Sequence, residues 1–124
     1  MDDWLIDTNV LIDFLRQSPS ATSFWKKLPE RPAASVMSTT ELYAGVRTRR
    51  EETDTAALMA NMRLLPVTVE IAQRAGVFLR LYLPSHGIET TDAVIAATAE
   101  HHGLKLATLN VRHFPMFRKL KAAY

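Results

Sequence analysis

Four short apolar runs, residues 4–6, 33–37, 64–67 and 104–108, alternate along this chain with longer helical periodicities, and that alternation restricts the fold more than any other feature. Each run is bounded by proline, glycine or polar residues, as strands are. Parallel strands need a crossover of a dozen or more residues between them, which a helix fills. Helical spacing of apolar residues is found over residues 8–16, 21–28, 39–49, 53–63, 70–82 and 91–102. The pattern predicts an α/β three-layer sandwich: a short, mainly parallel sheet of four to five strands flanked by helices. Residues 91–102 are apolar on most sides and predict a buried helix, stopped by Gly103. The Pro84-Ser85-His86-Gly87 stretch reads as a turn leading into it. With no repeat and no linker, residues 1–124 read as one domain, long enough to bury a core without staples.

Composition excludes several function classes. There is no cysteine, so a disulfide framework and a thiolate metal site are both unavailable. The start, Met1-Asp2-Asp3, is acidic where a secretory signal needs a basic one, and no run approaches the length of a membrane span. A cytoplasmic protein that makes no membrane contact is expected. Net charge is only +2, but its distribution is uneven. From His101 to Tyr124 there is no acid, against Lys105, Arg112, Arg118, Lys119 and Lys121. A second basic group is Arg47, Arg49 and Arg50. Such patches either form solvated faces or bind phosphate.

Three acids fall at the starts of helices that follow a strand or a loop: Asp7, Glu41 and Asp92. Each has an ordinary structural explanation. Asp7 can cap the first helix, and Ser38-Thr39-Thr40-Glu41 fits a capping box with Ser38 as the cap. Asp92 complements a helix dipole. Taken together they carry another meaning, because the carboxyl ends of parallel strands gather at one crevice. Two carboxylates ~5 Å apart repel by about 3 kcal/mol at an effective dielectric of 20, so a group of three calls for a cation. Hard oxygen ligands without cysteine suit Mg²⁺ or Mn²⁺ and phosphate chemistry. Thr108 and Asn110, after the last strand, are placed to face the same crevice; turn preference explains them equally. His113, beside Phe114, reads as packing or surface more than as a phosphate contact. His101 and His102 read as structural, and Asp13 stands outside the acid group. Phe24, Trp25, Met116 and Phe117 read as packing or partner contacts.

The segments Ile6-Asp7-Thr8-Asn9-Val10-Leu11, Ser38 to Val46, Thr91 to Ala99 and Leu106 to Phe114 resemble the PIN domain. Within that family they are most similar to the VapC-type ribonuclease toxins of bacterial toxin–antitoxin pairs. The resemblance spans nearly the whole chain in order and spacing. It implies that Asp7, Glu41 and Asp92 are the acidic, metal-binding core. Thr8 and Asn9 would steady the first acid, with Thr108 and Asn110 on the far side. Many members carry a fourth acid at the place of Asn110 or His113; this chain has none, which leaves a second metal ion fewer anionic ligands.

The function this implies is endoribonucleolytic hydrolysis by a Mg²⁺- or Mn²⁺-activated water, leaving a 5′-phosphate and a 3′-hydroxyl. Asp7, Glu41, Asp92 and Asn110 form the catalytic set. Arg112, Arg118, Lys119 and Lys121 would hold the RNA backbone. The resemblance further implies a homodimer and a VapB-type antitoxin, assembled into a larger complex, whose C-terminal segment crosses the site. Two alternatives remain at this level. One is a PIN-like binding module with weak or no turnover. The other is an aspartate-based Mg²⁺ phosphotransferase with Asp7 as nucleophile, in which Asn9 stands where a second acid is usual. Nothing in the sequence names the RNA.

Overall fold

The computed structural model describes residues 3–124; the Met1-Asp2 part of the acidic start lies outside them. Four strands pair in parallel: β1 (Trp4–Ile6), β2 (Ala33–Ser35), β3 (Arg63–Leu65) and β4 (Lys105–Ala107), in the order β3-β2-β1-β4. Six α-helices among the described residues connect and cover them. They are α1 (Thr8–Leu15), α2 (Pro19–Trp25), α3 (Val36–Ala44), α4 (Arg49–Ala60), α5 (Val69–His86) and α6 (Thr90–His102). The expected α/β sandwich is present, with four strands, all parallel.

Alternation along the strands divides the core in two. Leu5, Ala33 and Leu106 pack with Ile71, Ala75 and Phe78 of α5 and with the buried alanines of α6. Their neighbours Ile6, Ala34 and Ala107 face the other way, onto Val10, Leu11, Leu42, Leu58 and Met59. Side chains point to opposite faces at successive strand positions, so both faces of the sheet need apolar residues and helical cover. The strands are mostly apolar for that reason, with Ser35, Arg63 and Lys105 at strand ends. Residues 93–99 of α6 are all buried, as the sequence pattern predicted, and Gly103 ends that helix at φ 65°.

Strand order places the site. From β1 the chain crosses to β2 and then β3, moving one way across the sheet; it returns to lay β4 on the other side of β1. The ends of β1 and β4 therefore flank the point where the winding reverses, and ligand crevices form there.

Several boundaries differ from the sequence reading. The helix α3 begins at Val36, capped by Ser35, whose hydroxyl accepts from the Met37 N–H. Ser38 is thus inside the helix and fully buried, and the capping box of Ser38 with Glu41 does not form. The next helix starts at Arg49 instead of residue 53, because Thr48 and Glu51 make a reciprocal capping box. Similarly, α2 starts at Pro19 behind the Ser18 cap. The fifth helix runs on through Pro84 to His86, so the expected turn there is helical. Proline falls in its last turn, and Gly87 closes it in the left-handed conformation.

Candidate active site

The first strand ends at Ile6, and Asp7 adopts extended geometry to cap α1. One carboxylate oxygen, Oδ1, accepts from the Thr8 N–H at 2.8 Å. The other, Oδ2, accepts from the Thr108 hydroxyl at 2.7 Å, across the seam between β1 and β4. Asp7 is only 5% exposed. Burial, opposed by those two hydrogen bonds and reinforced by the charges of Asp92 and Glu41, pushes its carboxyl up to about 6. Asp7 is a helix cap and a strained charge at once, so the structural and functional readings of this residue are compatible.

A relay of hydroxyls links α1 to α3. The Thr8 hydroxyl donates to Glu41 Oε1 at 2.6 Å and lies 2.8 Å from Ser38 Oγ. Thr8 has one hydroxyl hydrogen, so Ser38 donates to Thr8 and Thr8 to Glu41. Ser38 stands one helical turn before Glu41 on the same face. Sequence reasoning gave Ser38 to the cap and missed this contact; its i, i+3 spacing to an acid is the signal that pointed to it.

The far side is built from the start of α6 and the segment after β4. Asp92 is the third residue of α6, and its Oδ2 accepts from the Glu89 N–H at 3.0 Å. The same oxygen lies 3.0 Å from Nδ1 of His113, which belongs to a single 3-10 turn, Val111–His113. Asn110 joins this group through its side-chain amide, 2.9 Å from His113 Nδ1, and its N–H donates to Thr108 Oγ1 at 3.0 Å. Asn9 ties the same segment to α1, accepting from the Leu109 N–H at 3.3 Å. His113 is therefore neither simple packing nor free surface: it bonds a carboxylate of the acid group.

The cations Arg112, Arg118, Lys119 and Lys121 are exposed, with no carboxylate partner among the described residues. They lie on the chain that follows Asn110 and make no hydrogen bond to the three acids. No buried side-chain nitrogen or oxygen among the described residues lacks a partner.

A hard cation fits the chemistry of these donors: three carboxylates coupled closely enough that two of them raise the third, with amide and hydroxyl oxygens alongside. No three His, Asp or Glu among the described residues form a ready cage. Mg²⁺ does not require one, since it keeps several waters and binds through one or two carboxylates plus substrate phosphates.

The chain as a whole is similar to known proteins. The family model for the PIN domain matches residues 4–120. Ribonuclease VapC10 of Mycobacterium tuberculosis (strain CDC 1551 / Oshkosh) is 44% identical over 124 residues, covering 97% of this chain and 92% of that protein. Ribonuclease VapC19 of the same strain is 42% identical over 127 residues, covering 97% and 98%. Among solved structures, a toxin–antitoxin complex from Klebsiella pneumoniae contains a chain that superposes with a TM-score of 0.85 at 25% identity, over 98% of each chain.

Proposed function

The chain belongs to the PIN-domain family, in its VapC branch, and from that premise we propose that it is a Mg²⁺- or Mn²⁺-dependent endoribonuclease acting as the toxin of a toxin–antitoxin pair. The observation that carries this reading is Asp7: a carboxylate at the winding reversal of a parallel sheet, raised to about 6 first by its burial and further by the nearby charges of Asp92 and Glu41. Isolated caps have no reason to be grouped in that way. The 42–44% identity to two named ribonucleases over nearly the full chain supports the same activity.

Asp7, Asp92 and Glu41 would hold the metal, with Asn110 beside them. A divalent ion bound there lowers the pKa of a coordinated water and neutralises charge on the scissile phosphate. The chain's own groups do the rest. Thr8 fixes one oxygen of Glu41, leaving the other to orient the attacking water and take its proton. The water oxygen bonds to phosphorus as the bond to the ribose 3′-oxygen breaks, which leaves a 3′-hydroxyl and a 5′-phosphate. Thr108 keeps Asp7 aligned. Arg112, Arg118, Lys119 and Lys121 hold the RNA backbone through its phosphates, which positions the strand without selecting sequence.

The whole of residues 1–124 would form this single domain. Its partners would be a VapB-type antitoxin and a second copy of the chain, in a cytoplasmic complex. A basic antitoxin side chain among the acids would neutralise them as the metal does. No helix among the described residues is long and apolar enough to cross a membrane. The decisive experiment is cleavage of RNA in Mn²⁺ by purified wild type, Asp7→Asn and Asp92→Asn. Either substitution should reduce the rate by about 10²-fold or more, the usual cost of removing a charge-stabilising group from an active site. Undiminished cleavage by either variant rejects the assignment.

A further inference from the structure

After the 3-10 turn the chain crosses the open edge of the sheet at β4. Met116, Phe117 and Leu120 pack against the core on the α5–α6 side. Ala123 packs against the other core, on the α1–α4 side. Residues 117–123 thus pass from one face of the sheet to the other around its edge strand. Two bonds secure the crossing. The Ala123 N–H donates to the Thr108 carbonyl at 2.9 Å, and the Tyr124 hydroxyl donates to Asp13 Oδ2 on α1 at 2.6 Å. The Tyr124 ring also sits 6.0 Å from that of Phe24.

These bonds span the same seam as the active site. Inside it, Thr108 bonds Asp7 and Leu109 bonds Asn9. Outside it, Ala123 holds the backbone of Thr108 while Tyr124 reaches Asp13, six residues along α1 from Asp7. Thr108 is held from both sides: by its hydroxyl to the acid, by its carbonyl to the strap. We propose that Tyr124 is a positioning residue, whose bond to Asp13 clamps residues 117–124 over the end of β4 and so holds Thr108, and through it Asp7, in register. The strap also carries Arg118, Lys119 and Lys121, all exposed. Burial and the Asp13 carboxylate both hold the Tyr124 phenol well above its ordinary range, so the hydroxyl remains a donor at any physiological pH.

The kinetic arm of the test rests on the ribonuclease reading; the exchange arm does not. Amide hydrogen exchange is measured on the full metal-free chain as wild type, Tyr124→Phe, Asp13→Ala, the double variant and Asp13→Asn. The Asn110 amide, which donates to Thr108 Oγ1, should exchange about fivefold faster in Tyr124→Phe and in Asp13→Ala, the size of one net hydrogen bond. The double variant should exchange no faster than either single, and amides of α5 and α6 should be unchanged. Asp13→Asn retains an acceptor oxygen and should behave as wild type. On single-stranded RNA in Mn²⁺, Tyr124→Phe should lower kcat about fivefold, because alignment of Asp7 is disturbed, and any rise in KM from loosening Arg118, Lys119 and Lys121 should accompany that loss of kcat. Unchanged Asn110 exchange, additive effects in the double variant, or a raised KM at unchanged kcat overturns the proposal. If wild type and Asp7→Asn cleave RNA equally, the nuclease reading fails while the exchange result still decides the strap.

Discussion

The two sides of the crevice are built to opposite plans. On the side of β1 and α3, Asp7, Thr8, Ser38 and Thr108 are buried, and every hydroxyl has a partner. On the side of α6, Asp92 and His113 keep side-chain exposures of 15% and 29%, and Asn110 is exposed. Charge is therefore costly on the first side and cheap on the second. On the first side burial moves the Asp7 carboxyl up to about 6. The inner side holds an unfavourable charge among satisfied hydroxyls; the outer side supplies a charge that keeps partial contact with water. A divalent cation binding between them would relieve the first more than the second.

Asp7→Asn tests that contrast most severely. A folded value of about 6 against 3.8 means the native state binds the Asp7 proton more tightly than the unfolded chain does. Stability from this group is full below pH 3.8 and declines as pH rises to about 6, by about 3 kcal/mol in all. The variant removes the charge and keeps the cap acceptor. At pH 7.5 without metal it should unfold at higher urea than wild type, by up to about 3 kcal/mol, and at pH 4 the gap should nearly close. Urea unfolding at both pH values measures it. An equal or lower midpoint at pH 7.5 would show that the buried side carries no stored charge.

Thr108→Val comes next. It keeps the volume, removes the hydroxyl from Asp7 Oδ2 and leaves the Asn110 N–H without its acceptor. Leaving such groups unpaired costs about 1–3 kcal/mol, and the loss should grow above pH 6, where Asp7 is ionised. The Asp7 carboxyl should move further up, since the Thr108 bond is what lowers it most. Carboxyl titration by NMR would detect the shift, and a downward one would contradict the account.

Sequence gave access to one kind of information more readily than another. Short apolar strands, the buried residues 93–99 and the Gly103 stop were legible because burial on two faces demands an apolar run and a left-handed cap demands glycine. Of the three acids expected at helix starts, Asp7 lies where a strand end meets a helix start, and Asp92 stands in the first turn of α6, which follows α5. Glu41 is instead the sixth residue of α3, because that helix begins at Val36. Helix starts themselves were legible only loosely. Ser35 and Ser38 both precede plausible first turns, and the choice between them was made by where β2 stops pairing with β3, at the Ser35–Leu65 pair. Thr48 with Glu51 did carry a capping-box spacing that fixes α4. The His113–Asp92 contact joins residues 21 apart in sequence through a turn that has no periodicity of its own. No local pattern encodes it.

The outer side should respond weakly, which is the finest test of the contrast. His113→Ala removes a half-buried ring that contacts a carboxylate still partly open to water, and leaves Asp92 its bond from the Glu89 N–H. Such a partly exposed single contact should contribute no more than the roughly 0–1 kcal/mol of surface pairs, so the unfolding free energy from urea titration should move by no more than about 1 kcal/mol. Adding salt should shrink even that difference, because screening acts on exposed pairs and spares buried ones. The Thr108→Val loss, by contrast, should be insensitive to salt. Parallel urea titrations of the two variants at low and high NaCl separate the two sides directly: a large, salt-resistant loss in His113→Ala would mean that Asp92 is as dependent on its protein partners as Asp7 is.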